Sequence, residues 1–98
     1  MEMIKFEWDK EKNKLNKKKH EITFEEAEGV FYDDFGIIIE DPDHSIDEER
    51  FIIIGLSEEE RILIVCHCYR EKNEIIRIIS ARKATKAEKQ QYYKQEMR

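Results

Sequence analysis

The chain has 98 residues, of which 42% are charged, with a net charge of −5 and a mean hydropathy of −0.80. That length supplies one hydrophobic core without metal or disulfide support, and the apolar runs are too short to cross a bilayer. The opening MEMIKFEWDK lacks the continuous apolar stretch of a secretory leader, so the expectation is a single domain over 1–98, soluble and cytoplasmic.

MIKFEW reads as a short first strand. Asp9 then caps a helix to about Lys18, with Leu15 as its main apolar contact. Thr23 and Glu26 have capping-box spacing, and Ile22 just before them is placed for a hydrophobic staple. Phe24, Ala27 and Phe31 follow on one face of a second short helix that Gly29 weakens. Four strands come next: FGIIIE from Phe35, RFIIIGL from Arg50, RILIVCHC from Arg61 and EIIRIIS from Glu74. The last two connections, SEEE and YREKN, are of hairpin length, so the four strands form an antiparallel meander over 35–80. Thr85 and Glu88 make a second capping box and open a final helix to about Met97. Its apolar positions reduce to Ala84, Ala87, Tyr92, Tyr93 and Met97, which predicts loose packing or a waiting partner. The fold class is therefore α+β: a short N-terminal strand, two helices, a four-stranded antiparallel meander and a C-terminal helix.

Charge is segregated along the chain. Residues 1–20 carry +3, residues 21–60 carry −14 and residues 61–98 carry +6. If the two basic ends meet in the fold they form a cationic surface hidden by the acidic total; the alternative is that these charges only solvate helix faces. Cys66 and Cys68, two apart on a strand, share a face in an arrangement poorly suited to a disulfide between them. They read as reduced core thiols. His67 points the other way, so CHC lacks the paired ligand spacing of structural zinc, and no metal and no cofactor are expected.

Arg77 interrupts an isoleucine-rich strand. A guanidinium in that setting needs an acidic partner, such as Glu40 or Glu49, or an anionic ligand. Arg70 lies in the preceding hairpin, and Arg82 and Lys83 just past the strand. His67, in a central apolar strand, is either a hydrogen-bonded core residue or a proton carrier. His20, after Lys17, Lys18 and Lys19, is either a helix-end cation or a catalytic group. His44 sits in a polar loop.

FEWD at 6–9, Asn16, KH at 19–20, FEEA at 24–27, VF at 30–31, DHS at 43–45, EERF at 48–51, IG at 54–55, YR at 69–70 and RIISARKAT at 77–85 occur together and in order. In these the chain resembles the BrnT family of bacterial type II toxins, which have a RelE-like fold and act as ribonucleases. Two positions depart from the family pattern: Glu21 stands where Gly usually follows the Lys-His pair, and Cys68 where Thr is common before Tyr-Arg. The resemblance implies RNA cleavage that blocks translation, and neutralisation by a co-encoded ribbon-helix-helix antitoxin. DNA is then bound only through that antitoxin, and two toxins are carried per antitoxin dimer.

Metal-independent RNA cleavage suits these residues, because the ribose 2'-OH is the nucleophile and the protein need supply only proton transfer and positive charge. Arg70, Arg77 and Arg82 are the candidate catalytic and phosphate-holding residues, joined by Lys83 for RNA binding. His67, Lys19 and His20 are candidates for proton transfer, with Tyr92 and Tyr93 as alternatives. Tyr92, Tyr93 and Met97 form the candidate antitoxin-binding patch. The competing reading is a non-catalytic module that binds RNA or an acidic peptide.

Overall fold

In the computed structural model, which describes residues 4–41, 43 and 48–96, the elements run β1 (Lys5–Glu7), α1 (Lys10–His20), α2 (Phe24–Glu28) continuing as a 3₁₀ turn (Gly29–Tyr32), β2 (Ile37–Glu40), β3 (Phe51–Leu56), β4 (Ile62–Arg70), β5 (Ile75–Lys83) and α3 (Lys86–Glu96). The strands form one sheet in the order β1-β5-β4-β3-β2. β2 to β5 are the expected antiparallel meander. β1 adds a fifth strand parallel to β5, which sets Glu7 opposite Arg77.

Local signals explain the helices. The Asp9 carboxylate accepts from the N–H groups of Glu11 and Lys12 at 2.8 and 3.1 Å. These backbone hydrogen bonds also hold its pKa below the ordinary carboxylate value. α1 continues past Lys18 to His20 and ends on Glu21 in the left-handed region (φ 62°), whose N–H bonds Lys17 O at 2.9 Å. Its anchor is not Leu15, which is 64% exposed, but Asn16, which is buried. The Asn16 amide donates to the carbonyls of Ile22 and Ala81 at 2.9 and 2.7 Å and accepts from the Ala81 N–H at 3.1 Å. A helix with a single apolar residue has no stripe to bury, so α1 is held to β5 by a buried amide instead.

The first capping box is half formed. Thr23 Oγ1 accepts from the Glu26 N–H at 3.1 Å, but the Glu26 carboxylate turns away to accept from Ser57 Oγ at 2.7 Å and from Arg61 Nε at 3.0 Å. Burial alone would raise the pKa of Glu26, yet the Arg61 and Ser57 hydrogen bonds outweigh it and lower it. Both halves of the second box are present: Glu88 N–H to Thr85 Oγ1 at 3.2 Å and Thr85 N–H to Glu88 Oε1 at 2.8 Å.

Apolar side chains lie on both faces of the sheet. On one face Ile22, Phe24, Ala27 and Val30, from α2 and its flanking segments, pack against Ile53, Leu63, Val65, Ile76, Ile78 and Ala81. Gly55 allows that closeness, since a Cβ there would meet Val30 Cγ1 at 2.7 Å. On the opposite face Tyr92 of α3, with Ala84 just before the helix, covers Ile54, Ile62 and Ile64. The expectation of a loosely packed α3 is thus corrected: Tyr92 is 2% exposed and its hydroxyl donates to Asp33 Oδ2 at 2.6 Å.

Candidate functional site

A β-bulge decides which side chains share the face that α3 only partly covers. Cys68 pairs with Arg77 and His67 with Ile78, but Cys66 pairs with Ser80, so Ile79 is an extra residue on β5. Strict alternation would separate Arg77 from Arg82. The inserted residue shifts the phase, and Arg77, Ser80 and Arg82 all lie opposite the Ile64, Cys66 and Cys68 side of β4, while Ile76, Ile78 and Ala81 enter the helix-covered core.

Each of the three candidate arginines has a carboxylate partner. Arg70 Nη2 is 3.2 Å from Glu48 Oε2, and Arg77 Nη1 is 2.8 Å from Glu7 Oε2. Arg82 forms a two-pronged pair with Glu88, at 2.8 and 2.9 Å. The acid that meets Arg77 is therefore Glu7, not Glu40 or Glu49, because the parallel pairing of β1 places it directly alongside. Glu7 raises the pKa of Arg77, and Arg82 pulls that of Glu88 down to about 2. All three pairs keep substantial exposure, so their guanidinium groups remain accessible to a polyanion.

Beside Arg82 lies a shallow hollow lined by Asp41, Arg50, Cys66, Ile79 and Ser80 among others. Arg50 was missed as a site residue: it reads as the first position of a strand, and only the β3–β4–β5 register carries it to this face. Glu48, 3.9 Å from Arg50 Nε, links it to Arg70. Burial raises the pKa of the Cys66 and Cys68 thiols, consistent with protonated packing residues.

The other candidates do not converge there. His67 is fully buried on the helix-covered side, with Nδ1 3.1 Å from Val65 O, Nε2 3.3 Å from the Tyr69 hydroxyl, and its ring edge-on to Phe31. Burial lowers its pKa. These surroundings correct the catalytic reading of His67 in favour of the hydrogen-bonded core residue. Lys19 and His20 lie in the last turn of α1, near the Lys83 end of β5, where Lys83 Nζ is 3.9 Å from Glu21. Arg77 is near the other end, about 20 Å away at ~3.3 Å per strand residue. Tyr92 is withdrawn into the core, which corrects its place in the antitoxin-binding patch. Tyr93 is half exposed, and Met97 and His44 lie outside the described residues. Among the described residues no group of three or more His, Cys, Asp or Glu is placed to hold a metal ion, and no helix is long and apolar enough to cross a membrane.

A family profile described as the ribonuclease toxin BrnT of a type II toxin-antitoxin system matches residues 8–88. A comparison with curated protein sequences finds no match. Among solved structures, the crystal structure of the Brucella abortus ribonuclease toxin BrnT superposes with a TM-score of 0.66 at 23% identity, covering 86% of this chain and 100% of that one, which speaks to the fold. The profile spans most of the chain, and the chain belongs to the BrnT family of ribonuclease toxins of type II toxin-antitoxin systems.

Proposed function

We propose that the chain is a metal-independent endoribonuclease whose substrate strand lies across the face bearing Arg50, Arg70, Arg77 and Arg82. The bulge at Ile79 carries this reading, because it sets Arg77 and Arg82 on one side of the sheet. An RNA phosphate replaces a carboxylate as the partner of a guanidinium, so each arginine is held in position before substrate arrives. The 2'-oxygen attacks the adjacent phosphorus, the P–O5' bond breaks as the departing O5' takes a proton from solvent, and a 2',3'-cyclic phosphate and a 5'-hydroxyl result. Arginine charge stabilises the pentavalent phosphorane. Glu7, half exposed beside Arg77, is the carboxylate best placed to take the 2'-OH proton. The requirement for a 2'-OH excludes DNA as substrate.

In this reading cleavage of cellular RNA stops translation. A ribbon-helix-helix antitoxin dimer carries two toxin chains and supplies the contact to DNA. The test is incubation of the purified chain with labelled RNA in EDTA. Cleavage should persist in chelator and fall at least about tenfold in Arg77→Ala, whose exposed ion pair contributes only about 0–1 kcal/mol to folding. Glu7→Gln keeps a hydrogen-bonding group beside Arg77 but cannot accept the 2'-OH proton, and should slow cleavage while leaving RNA binding in place. Normal cleavage by a folded Arg77→Ala protein overturns the assignment. Binding without products points instead to a non-catalytic RNA-binding module.

A further inference from the structure

β2 is one of the two outer strands of the sheet, and among the described residues no strand pairs with its side away from β3, which is a ready pairing edge. The Asp41 N–H bonds the Arg50 carbonyl at 2.9 Å, which sets the phase of the β2–β3 ladder. Ile37 and Ile39 therefore turn their backbone groups toward β3, while the N–H and C=O groups of Ile38 and Glu40 point outward. The flanking side chains are apolar and uncovered: Ile38 is 51% and Ile39 49% exposed. Soluble proteins usually guard such an edge with lysine or proline. Here residues 33–49 hold no Lys or Arg but eight acidic residues, with Pro42 two positions past β2, so the guard on Ile38 and Ile39 is negative charge and proline.

We propose that the outer edge of β2 is the docking strand for the antitoxin, which adds an extended segment alternating apolar side chains with Lys or Arg. The inference rests on the toxin-antitoxin reading and locates its interface. Backbone pairing to Ile38 and Glu40 supplies register, Ile38 and Ile39 supply apolar area, and the acidic flanks select a basic partner strand. RNA is repelled by the same charges. A second copy of the chain sets the exposed acids Asp34, Glu40 and Glu49 against their own copies, so self-pairing is disfavoured. The Ile38 and Glu40 side chains lie on the Val65 and His67 side of the sheet, opposite the arginines, so a strand docked there leaves room for other antitoxin parts to cover the RNA path.

The test uses the full chain and its co-encoded antitoxin, titrated by calorimetry at low and high salt. Ile38→Pro removes an outward N–H that the fold does not use, and Glu40→Lys reverses a charge at the edge. Each should weaken antitoxin binding by about tenfold or more while RNA cleavage and melting temperature stay at wild-type values. Wild-type affinity should fall as salt rises. Where Ile38→Pro itself lowers the melting temperature, Ile38→Lys on the same half-exposed side chain is read in its place. Wild-type affinity in the edge variants overturns the inference alone. A wild-type chain that fails to bind the antitoxin overturns it together with the toxin-antitoxin reading. Sedimentation showing a dimer that Ile38→Pro dissolves would assign the edge to a second copy and overturn the inference.

Discussion

Neutralising Glu88 should cost stability at neutral pH and nothing in strong acid. Glu88 accepts from both terminal nitrogens of Arg82 and from the Thr85 N–H. Together these lower its pKa from 4.5 to about 2. Taken at face value that shift is worth at most about 3.4 kcal/mol, at ~1.36 kcal/mol per pH unit. The Glu88 side chain is 26% and that of Arg82 41% exposed, and solvent screening reduces the figure to about 1–2 kcal/mol. Because the folded-state pKa is depressed, this stability is present above pH 4.5 and is lost as pH falls toward 2. Glu88→Gln retains a capping side chain without the charge, so urea denaturation should show it less stable than wild type by about 1–2 kcal/mol at pH 7. The two curves should converge by about pH 2. A constant difference across that range would mean that the guanidinium–carboxylate pair contributes nothing and that the loss is one of packing. Freed from Glu88, Arg82 should also bind RNA more tightly, a gain that filter binding at neutral pH would register.

Asn16→Ala leaves the Ala81 N–H and carbonyl buried without their partner and should destabilise the chain by about 2–4 kcal/mol, measured as a shift in denaturation midpoint. Glu21→Gly relieves the left-handed end of α1 and should stabilise by about 1 kcal/mol. In thermal melts this corresponds to a rise of roughly 4–8 °C. Removing α3 after Thr85 uncovers Ile54, Ile62 and Ile64 and should cost on the order of 3 kcal/mol or more. Loss of folding, seen by circular dichroism, should therefore accompany any loss of antitoxin binding in that truncation.

The meander and caps were legible because their signals are local. Hairpin-length connections fixed β3 to β5, and Asp9, Thr23 and Thr85 each cap the helix they precede. The candidate site was less legible because it depends on register between distant strands. Nothing near Glu7 announces that β1 lies parallel to β5, and that pairing alone chooses the acid for Arg77. Alternation along RIISARK puts Arg77 and Arg82 on opposite faces, whereas the bulge unites them. Leu15 is apolar yet exposed, because the contact of α1 with β5 is made by the Asn16 amide, which apolar patterning does not reveal. Glu26 shows the same limit from the other side: its spacing from Thr23 predicted a reciprocal cap, and a long-range arginine took the carboxylate.

The parallel union of β1 with β5 also has a consequence for the ribosome that makes the chain. Glu7 and Arg77 are 70 residues apart in sequence, and Asn16 and Ala81 are 65 apart. At roughly 5–20 residues per second, the N-terminal strand waits about 4–14 s for its neighbour to be polymerised, and longer for it to clear the exit tunnel. Contacts of such separation also form slowly. The arginine face is thus assembled late, and an interrupted translation product lacking β5 carries neither Arg77 nor Arg82. On the proposed reading, a chain paused before β5 presents the β2 edge to an antitoxin while it still lacks Arg77 and Arg82.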